Sequence, residues 1–281
     1  WNWVGDEALY PDWVGLIASL KERGVRTLAY FNPFLTDASE KENLTRNLYD
    51  EAVEKNYLVQ DKEEGPLLVE NGGFYAGMID LTNPETRTWI KEIMKEQMAL
   101  GVSGWMADFG EALPYDVQLH SGTDPKAYHN NYPYDWALLN REAAQEAGVE
   151  DDFLFFSRSG NAKSPGATRL FWIGDQLCSW DEYDGFQTVI PALLSSGLSG
   201  YSLQHTDTGG WLSVNIGQLV YNRSKELFQR WVELSAFTPL LRLHTTNDAE
   251  NNHQYNSDAE TLEHFSRFTK VFRSLSNYRA Q

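Results

Sequence analysis

Asn83-Pro84-Glu85 opens a helix predicted to run to about Leu100, and Gly101-Val102-Ser103-Gly104-Trp105-Met106-Ala107-Asp108 follows it directly. Asn before the start, Pro just inside it and Gly just past the end are helix punctuation. The short apolar run Gly104 to Ala107 reads as a buried strand, which leaves Asp108 at its C-terminal end. The same unit recurs on either side. Leu16 to Leu20, with Lys21 and Arg23, forms an amphipathic helix that stops at Gly24 and is followed by the strand Arg26 to Phe31. A helix over Asp135 to Ala147 stops at Gly148 and leads to Phe153-Leu154-Phe155-Phe156, whose end carries Ser157 and Arg158. Further strands are expected at Thr168 to Trp172, Leu198 to Leu203 and Leu240 to Leu243, and further helices over Phe186 to Ser195, Ser224 to Phe237 and Asp258 to Leu275.

Helices alternating with short apolar strands give an α/β fold with a parallel sheet, and polar residues gathered at strand ends are where (β/α)8 barrels of the TIM type carry their chemistry. The alternative is a doubly wound sheet, but no Gly-rich phosphate loop follows any strand. About six strand candidates are present where a closed barrel needs eight. The expectation is therefore one catalytic barrel domain over residues 1–281 that is incomplete, with its first strands missing and the Arg26–Phe31 strand flanked by an open edge or by chain outside this sequence. Glu111 to Tyr134, rich in Pro, Tyr, His and Asn, reads as one long loop, and long loops in compact domains tend to be functional.

Composition narrows the partners. Forty acidic residues against 23 basic ones give 281 residues a net charge of −17, which argues against nucleic acid or an anionic membrane surface and leaves a small molecule as the expected ligand. Aromatic residues make up 14%, ten of them Trp, and such rings stack on sugar faces as well as fill cores. The one cysteine, Cys178, excludes an intrachain disulfide and paired thiolate ligands and fits a reducing compartment such as the cytoplasm. No metal site and no cofactor are expected.

Retaining glycoside hydrolysis needs a carboxylate to attack the anomeric carbon and a carboxylic acid about 5 to 5.5 Å away to protonate the leaving oxygen. Asp108 is the better nucleophile, because an Asp following an apolar barrel strand points into the mouth. Asp175, in Phe171-Trp172-Ile173-Gly174-Asp175, follows another apolar strand, where neighbouring rings favour its protonated form. By pattern alone Asp181 and Asp184 serve as well. Arg158, Asp207 and His244 are strand-end polar groups suited to sugar hydroxyls, while Asp80 reads equally as a structural residue beside the helix cap at Asn83.

Taken together these segments resemble glycoside hydrolase family 31 over nearly the whole chain. Gly104 to Glu111 resembles its nucleophile strand, Ser157 to Asp175 its acid/base segment, and Gly197 to Gly210 its Gly-Leu-Ser-Gly to Asp-x-Gly-Gly segment. Asp80-Leu81-Thr82-Asn83-Pro84 is similar to its Asp-x-Thr-Asn-Pro turn, and Arg242-x-His244 to its last barrel segment. The resemblance implies Asp108 as nucleophile, Asp175 as acid/base, a glycoside as substrate, and Arg158, Asp207 and His244 as glycone contacts. Trp105 and Trp172, on the two catalytic strands, join them as implied substrate contacts. Within the family, Trp105 to Glu111 and Trp1-Asn2-Trp3 look most like the sulfoquinovosidases. That likeness gives Trp1 a place at the sulfonate beside an Arg upstream of it, and puts Trp211 where those enzymes carry a Tyr. Thr245-Thr246-Asn247 likewise replaces their Glu-Gly-Asn. An ordinary α-glucosidase, α-xylosidase or α-galactosidase, and a non-catalytic carbohydrate-binding fragment, are the alternatives.

Overall fold

The structure, a computed structural model, describes residues 1–63 and 65–280. The chain divides into two compact units, Trp1–Arg169 and Leu170–Gln281.

The first unit runs α1 (Trp13–Glu22), β1 (Ala29–Phe31), β2 (Phe34–Leu35), α2 (Leu48–Glu54), β3 (Leu68–Glu70), β4 (Tyr75–Met78), α3 (Pro84–Ala99), β5 (Gly104–Ala107), α4 (Pro125–Tyr128), α5 (Tyr132–Glu146) and β6 (Leu154–Ser157). Helices α1, α3 and α5 stop in one way. Gly24, Gly101 and Gly148 take φ of 72°, 102° and 71°, the left-handed region open to Gly at little cost. In each case the glycine N–H bonds three residues back and the next Val N–H five back: Val25 to Leu20, Val102 to Gln97 and Val149 to Ala144, at 2.9, 3.3 and 3.0 Å. These are Schellman caps, which satisfy the last helical carbonyls and turn the chain into the following strand. Asn83 caps α3 by accepting from Glu85 N at 2.9 Å.

Strand β5 lies between β1 and β6, parallel to both, with Trp105 opposite Ala29 and Phe155. β5 is the one ladder partner of β1 among the described residues, and a groove of about 590 Å³ lined by Trp3, Tyr10, Trp13, Leu28 and Tyr30 lies against that strand. β1 is therefore an edge strand of the described sheet. The apolar faces of α3 (Trp89, Ile90, Ile93) and α5 (Trp136, Leu139, Ala143) share one core with Phe31, Trp105 and Phe155. A second, antiparallel sheet of β2, β4 and β3 was not expected. The Glu111–Tyr134 stretch is also more ordered than a single loop, because it contains α4, a 3₁₀ turn over His129–Asn131 and the first three residues of α5. Its middle is tied down by Asp80, a buried structural carboxylate that accepts from His120 N at 2.6 Å and from Thr82 N at 2.8 Å.

The second unit runs β7 (Leu170–Trp172), α6 (Phe186–Leu198), β8 (Gln204–His205), β9 (Asp207–Thr208), the hairpin β10 (Val214–Ile216) and β11 (Leu219–Tyr221), α7 (Lys225–Ser235), β12 (Arg242–Leu243), α8 (Ala259–Ser274) and α9 (Ser276–Arg279). Parallel pairs join β7 to β8 and β9 to β12. The strand expected over Leu198–Leu203 is displaced. α6 continues to Leu198 because its stop is Gly200 (φ 102°), whose Schellman cap closes with Tyr201 N on Ser196 O at 3.1 Å, so the strand begins only at Gln204. Among the described residues no helix is long and apolar enough to cross a membrane.

Candidate active site

Asp108 is the first residue past β5, and its N–H still pairs with Phe31 O at 2.8 Å. Helix α5 holds this strand end from behind. Trp105 Nε1 donates to Asn140 Oδ1 (2.6 Å), Asn140 Nδ2 donates to Trp136 O (2.7 Å), and Trp136 Nε1 donates to the Asp108 carbonyl (3.1 Å). The Asp108 side chain is 9% exposed. Tyr30 OH donates to Oδ2 at 2.6 Å, Phe109 N donates to Oδ1 at 2.8 Å, and Arg158 Nε lies 3.3 Å from Oδ1. Burial pushes the Asp108 carboxyl above the usual range, Arg158, Tyr30 and the Phe109 N–H pull it down, and Glu111 adds to the rise. Tyr30 is itself braced by Asn32, whose Nδ2 donates to the phenol oxygen at 3.2 Å. Its phenol is driven upward by burial and by the Asp108 charge beside it, so it stays a donor.

Arg158 is shared. It reaches Glu111 Oε1 through Nε at 3.0 Å and through a terminal nitrogen at 2.6 Å, while its guanidinium lies 4.1 Å from the Phe109 ring centroid. That ring also packs at 5.2 Å on Trp1, which in turn meets Phe34 and Phe74. Phe109 takes a positive φ of 57° and Gly110 one of 107°. A Cβ at Gly110 would lie 2.8 Å from Ser159 Oγ, itself bonded to Phe109 O at 2.7 Å. The tight turn after Asp108 therefore depends on glycine at that position.

In the second unit Asp175 sits three residues past β7, on a turn with Gly174 at φ 100°. Gln176 clamps this turn: its Nε2 donates to Ile173 O (2.8 Å), and its carbonyl accepts from Trp211 N (2.9 Å) and Leu212 N (3.1 Å). Asp207 pairs with Arg242, its register partner across β9 and β12, and Arg242 Nε donates to His205 Nε2 at 3.0 Å. His244 Nδ1 accepts from Thr246 N at 3.0 Å, which leaves the ring proton on Nε2. Burial first, then Arg242 and Arg223, lowers His244 to about 4, so it is a neutral donor at pH 7. Trp211 meets the His244 ring edge-on at 6.2 Å. Arg223, 2% exposed, knits these loops together with bonds to His244 O (2.9 Å), His253 O (2.7 Å) and Gln254 Oε1 (2.9 Å).

Two expected substrate contacts lie in the core instead. Trp105 is 0% exposed, between Phe31 and Phe153, and Trp172 is 2% exposed beneath Arg242. Their rings support the strands and offer no surface to a sugar. Tyr30, Asn32, Gln176, His205, Arg223 and Arg242 were not among the expected site residues. Tyr30 and Asn32 carried a signal, since polar side chains two apart at the end of a strand share a face.

The family model for the glycosyl hydrolases family 31 TIM-barrel domain matches residues 1–279. The chain belongs to glycoside hydrolase family 31. Sulfoquinovosidases of Escherichia coli strain K12 and Agrobacterium fabrum strain C58 are 43% and 38% identical to it, each over 99% of this chain and 40% of the relative. A solved family 31 sulfoquinovosidase from E. rectale, in complex with the aza-sugar inhibitor IFGSQ, superposes with a TM-score of 0.92 at 40% identity, over 99% of this chain and 40% of that one. The family 31 chain thus spans about two fifths of the length of these relatives, and its fold is that of their TIM-type barrel domain.

Proposed function

We propose that this family 31 chain carries the catalytic carboxylates of a retaining α-glycoside hydrolase that acts on sulfoquinovosides. Asp108 attacks the anomeric carbon and Asp175 protonates the leaving oxygen, then activates water. The observation that carries the reading is the Asp108 carboxyl, buried and held in one orientation by Tyr30 and the Phe109 N–H. A desolvated carboxylate with fixed donors is a better nucleophile than a solvated one and needs little reorganisation on attack. Arg158, His244 Nε2 and Trp211 are the proposed polar contacts to the glycone. Hydrolysis of matched aryl α-glycosides, sulfonated and neutral, by the full-length protein tests the reading, with the first-formed anomer followed by proton NMR. An α-anomer from the sulfonated substrate is expected. A β-anomer, or binding without turnover, would overturn the mechanism.

Two variants sharpen this reading. Tyr30→Phe removes a donor that holds the Asp108 carboxyl down, so the Asp108 pKa rises. Because the nucleophile must be ionised, the acid limb of the kcat/KM profile should move to higher pH, with a loss at its optimum of about tenfold, as for one charge-assisted hydrogen bond. An unmoved acid limb would separate Tyr30 from the nucleophile. The second variant is Trp1→Phe. It keeps an aromatic ring among Phe34, Phe74 and Phe109 but deletes the indole N–H, so it should weaken hydrolysis of the sulfonated glycoside well beyond that of the neutral one. Equal losses would make Trp1 a packing residue and favour an ordinary α-glucosidase.

A further inference from the structure

We infer that Arg242 is the polar group presented to substrate at the ends of β9 and β12, and that Asp207 and His205 are positioning residues that act through it. The inference rests on the glycosidase reading above, and it reassigns Asp207 from a sugar contact to a support. His205 and Asp207 stand two apart along one extended stretch and so share a face. Arg242 lies opposite Asp207 on the parallel neighbour. A guanidinium offers its Nε–H and one terminal N–H side by side, as a rigid fork. Here the fork closes on both residues at once, with Nε on His205 Nε2 at 3.0 Å and a terminal nitrogen on Asp207 Oδ1. Trp172 supports the group from one side, its ring centroid 5.3 Å from the guanidinium carbon.

Exposure decides which member meets a ligand. The Asp207 side chain is sealed at 0%, whereas that of Arg242 keeps 18%, and His205 is buried. A carboxylate with no accessible surface cannot touch a sugar without rearrangement, while a guanidinium anchored by a carboxylate and an imidazole is already oriented. His205 is suited to this work because it stays neutral: burial, with Arg242 beside it, holds its pKa well below the usual range. A neutral ring can accept the Nε–H at Nε2, which a protonated ring cannot. The ligand atom that suits Arg242 is an oxygen acceptor, here a glycone hydroxyl.

The test uses full-length enzyme, the parent glycoside and its monodeoxy analogues. Arg242→Gln should lose about 10²-fold in kcat/KM, the scale set by one charged hydrogen bond and its orientation. It should also stop discriminating against one deoxy position that the wild type requires. Asp207→Asn should reproduce that pattern, and the double variant should be no worse than Arg242→Gln alone, because residues acting through one group are not additive. Losses that multiply, or wild-type discrimination retained at every position by Arg242→Gln, would overturn the assignment. Arg242→Lys keeps the charge without the fork and should recover less than a tenth of the lost activity, so full recovery would also overturn it. ¹⁵N NMR of the histidine rings needs no turnover: the Nε2 resonance of His205 should move in Arg242→Gln, and an unmoved resonance would refute the fork. If the wild type hydrolyses none of the glycosides, the glycosidase reading falls, and the NMR measurement still judges the cluster.

Discussion

Asp108→Asn, introduced into the full-length enzyme, is expected to lower kcat on aryl α-glycosides by at least about 10³-fold while leaving the fold intact. The amide keeps an oxygen for the Phe109 N–H, and Arg158 keeps Glu111 as a partner. What disappears is the negative charge that, in the proposed mechanism, forms the glycosyl-enzyme bond. Since burial already works against that charge in the native protein, its removal relieves a desolvation cost, and the melting temperature should hold within a few degrees or rise. A 5-fluoro glycosyl fluoride should add one sugar mass to the wild type, on the peptide containing Asp108, and none to the variant. Label on any other carboxylate, or near wild-type turnover in the variant, would remove Asp108 from the role.

Asp175→Asn should separate substrates by leaving group. An acid catalyst matters in proportion to the proton its leaving group needs, so an alkyl glycoside should lose about 10²- to 10⁴-fold. An aryl glycoside that releases a strongly acidic phenol should nearly keep its first step. Its second step then lacks a base, and the glycosyl-enzyme should accumulate. Azide, a nucleophile that needs no base, should restore turnover and yield the α-glycosyl azide. The clamp of Gln176 on the turn that bears Asp175 stands apart from the carboxyl itself, so this variant should fold. A loss of one size across all leaving groups would show that Asp175 is not the proton donor.

Much of the fold was legible because it is written in local signals. Gly24, Gly101 and Gly148 announce helix ends whose caps need only near neighbours, and Asn83-Pro84 announces a start, so Asp108 falls at a strand end by counting. Tertiary pairing is not written that way. That Tyr30 reaches Asp108 follows from the register of β1 on β5, and that Arg242 meets Asp207 follows from β12 lying beside β9; no periodicity in either segment carries that information. The helix expected to end at Ser195 runs on to Leu198, because Gly200 and not Gly197 takes the left-handed turn that ends α6, and this displaced the expected strand. Trp105 and Trp172 misled for a related reason: strand alternation tells that two faces exist but not which one faces the core. Arg223 lay inside Asn222-Arg223-Ser224, a stretch with nothing local to show that four distant carbonyl-type acceptors, on Gly210, His244, His253 and Gln254, converge on its side chain.

Phe109 holds a left-handed backbone that disfavours residues other than Gly and Asn or Asp by roughly 1–2 kcal/mol, yet its ring is the surface on which Trp1 and the Arg158 guanidinium rest. No single substitution satisfies both demands. Gly or Asn would relax the chain and strip the wall from beside Asp108, and every other aromatic keeps the wall and the strain. Selection for thermal stability alone would therefore drift toward small residues at this position and erode the site without touching a carboxylate. A population under selection for turnover would hold an energetically unfavourable residue in place indefinitely.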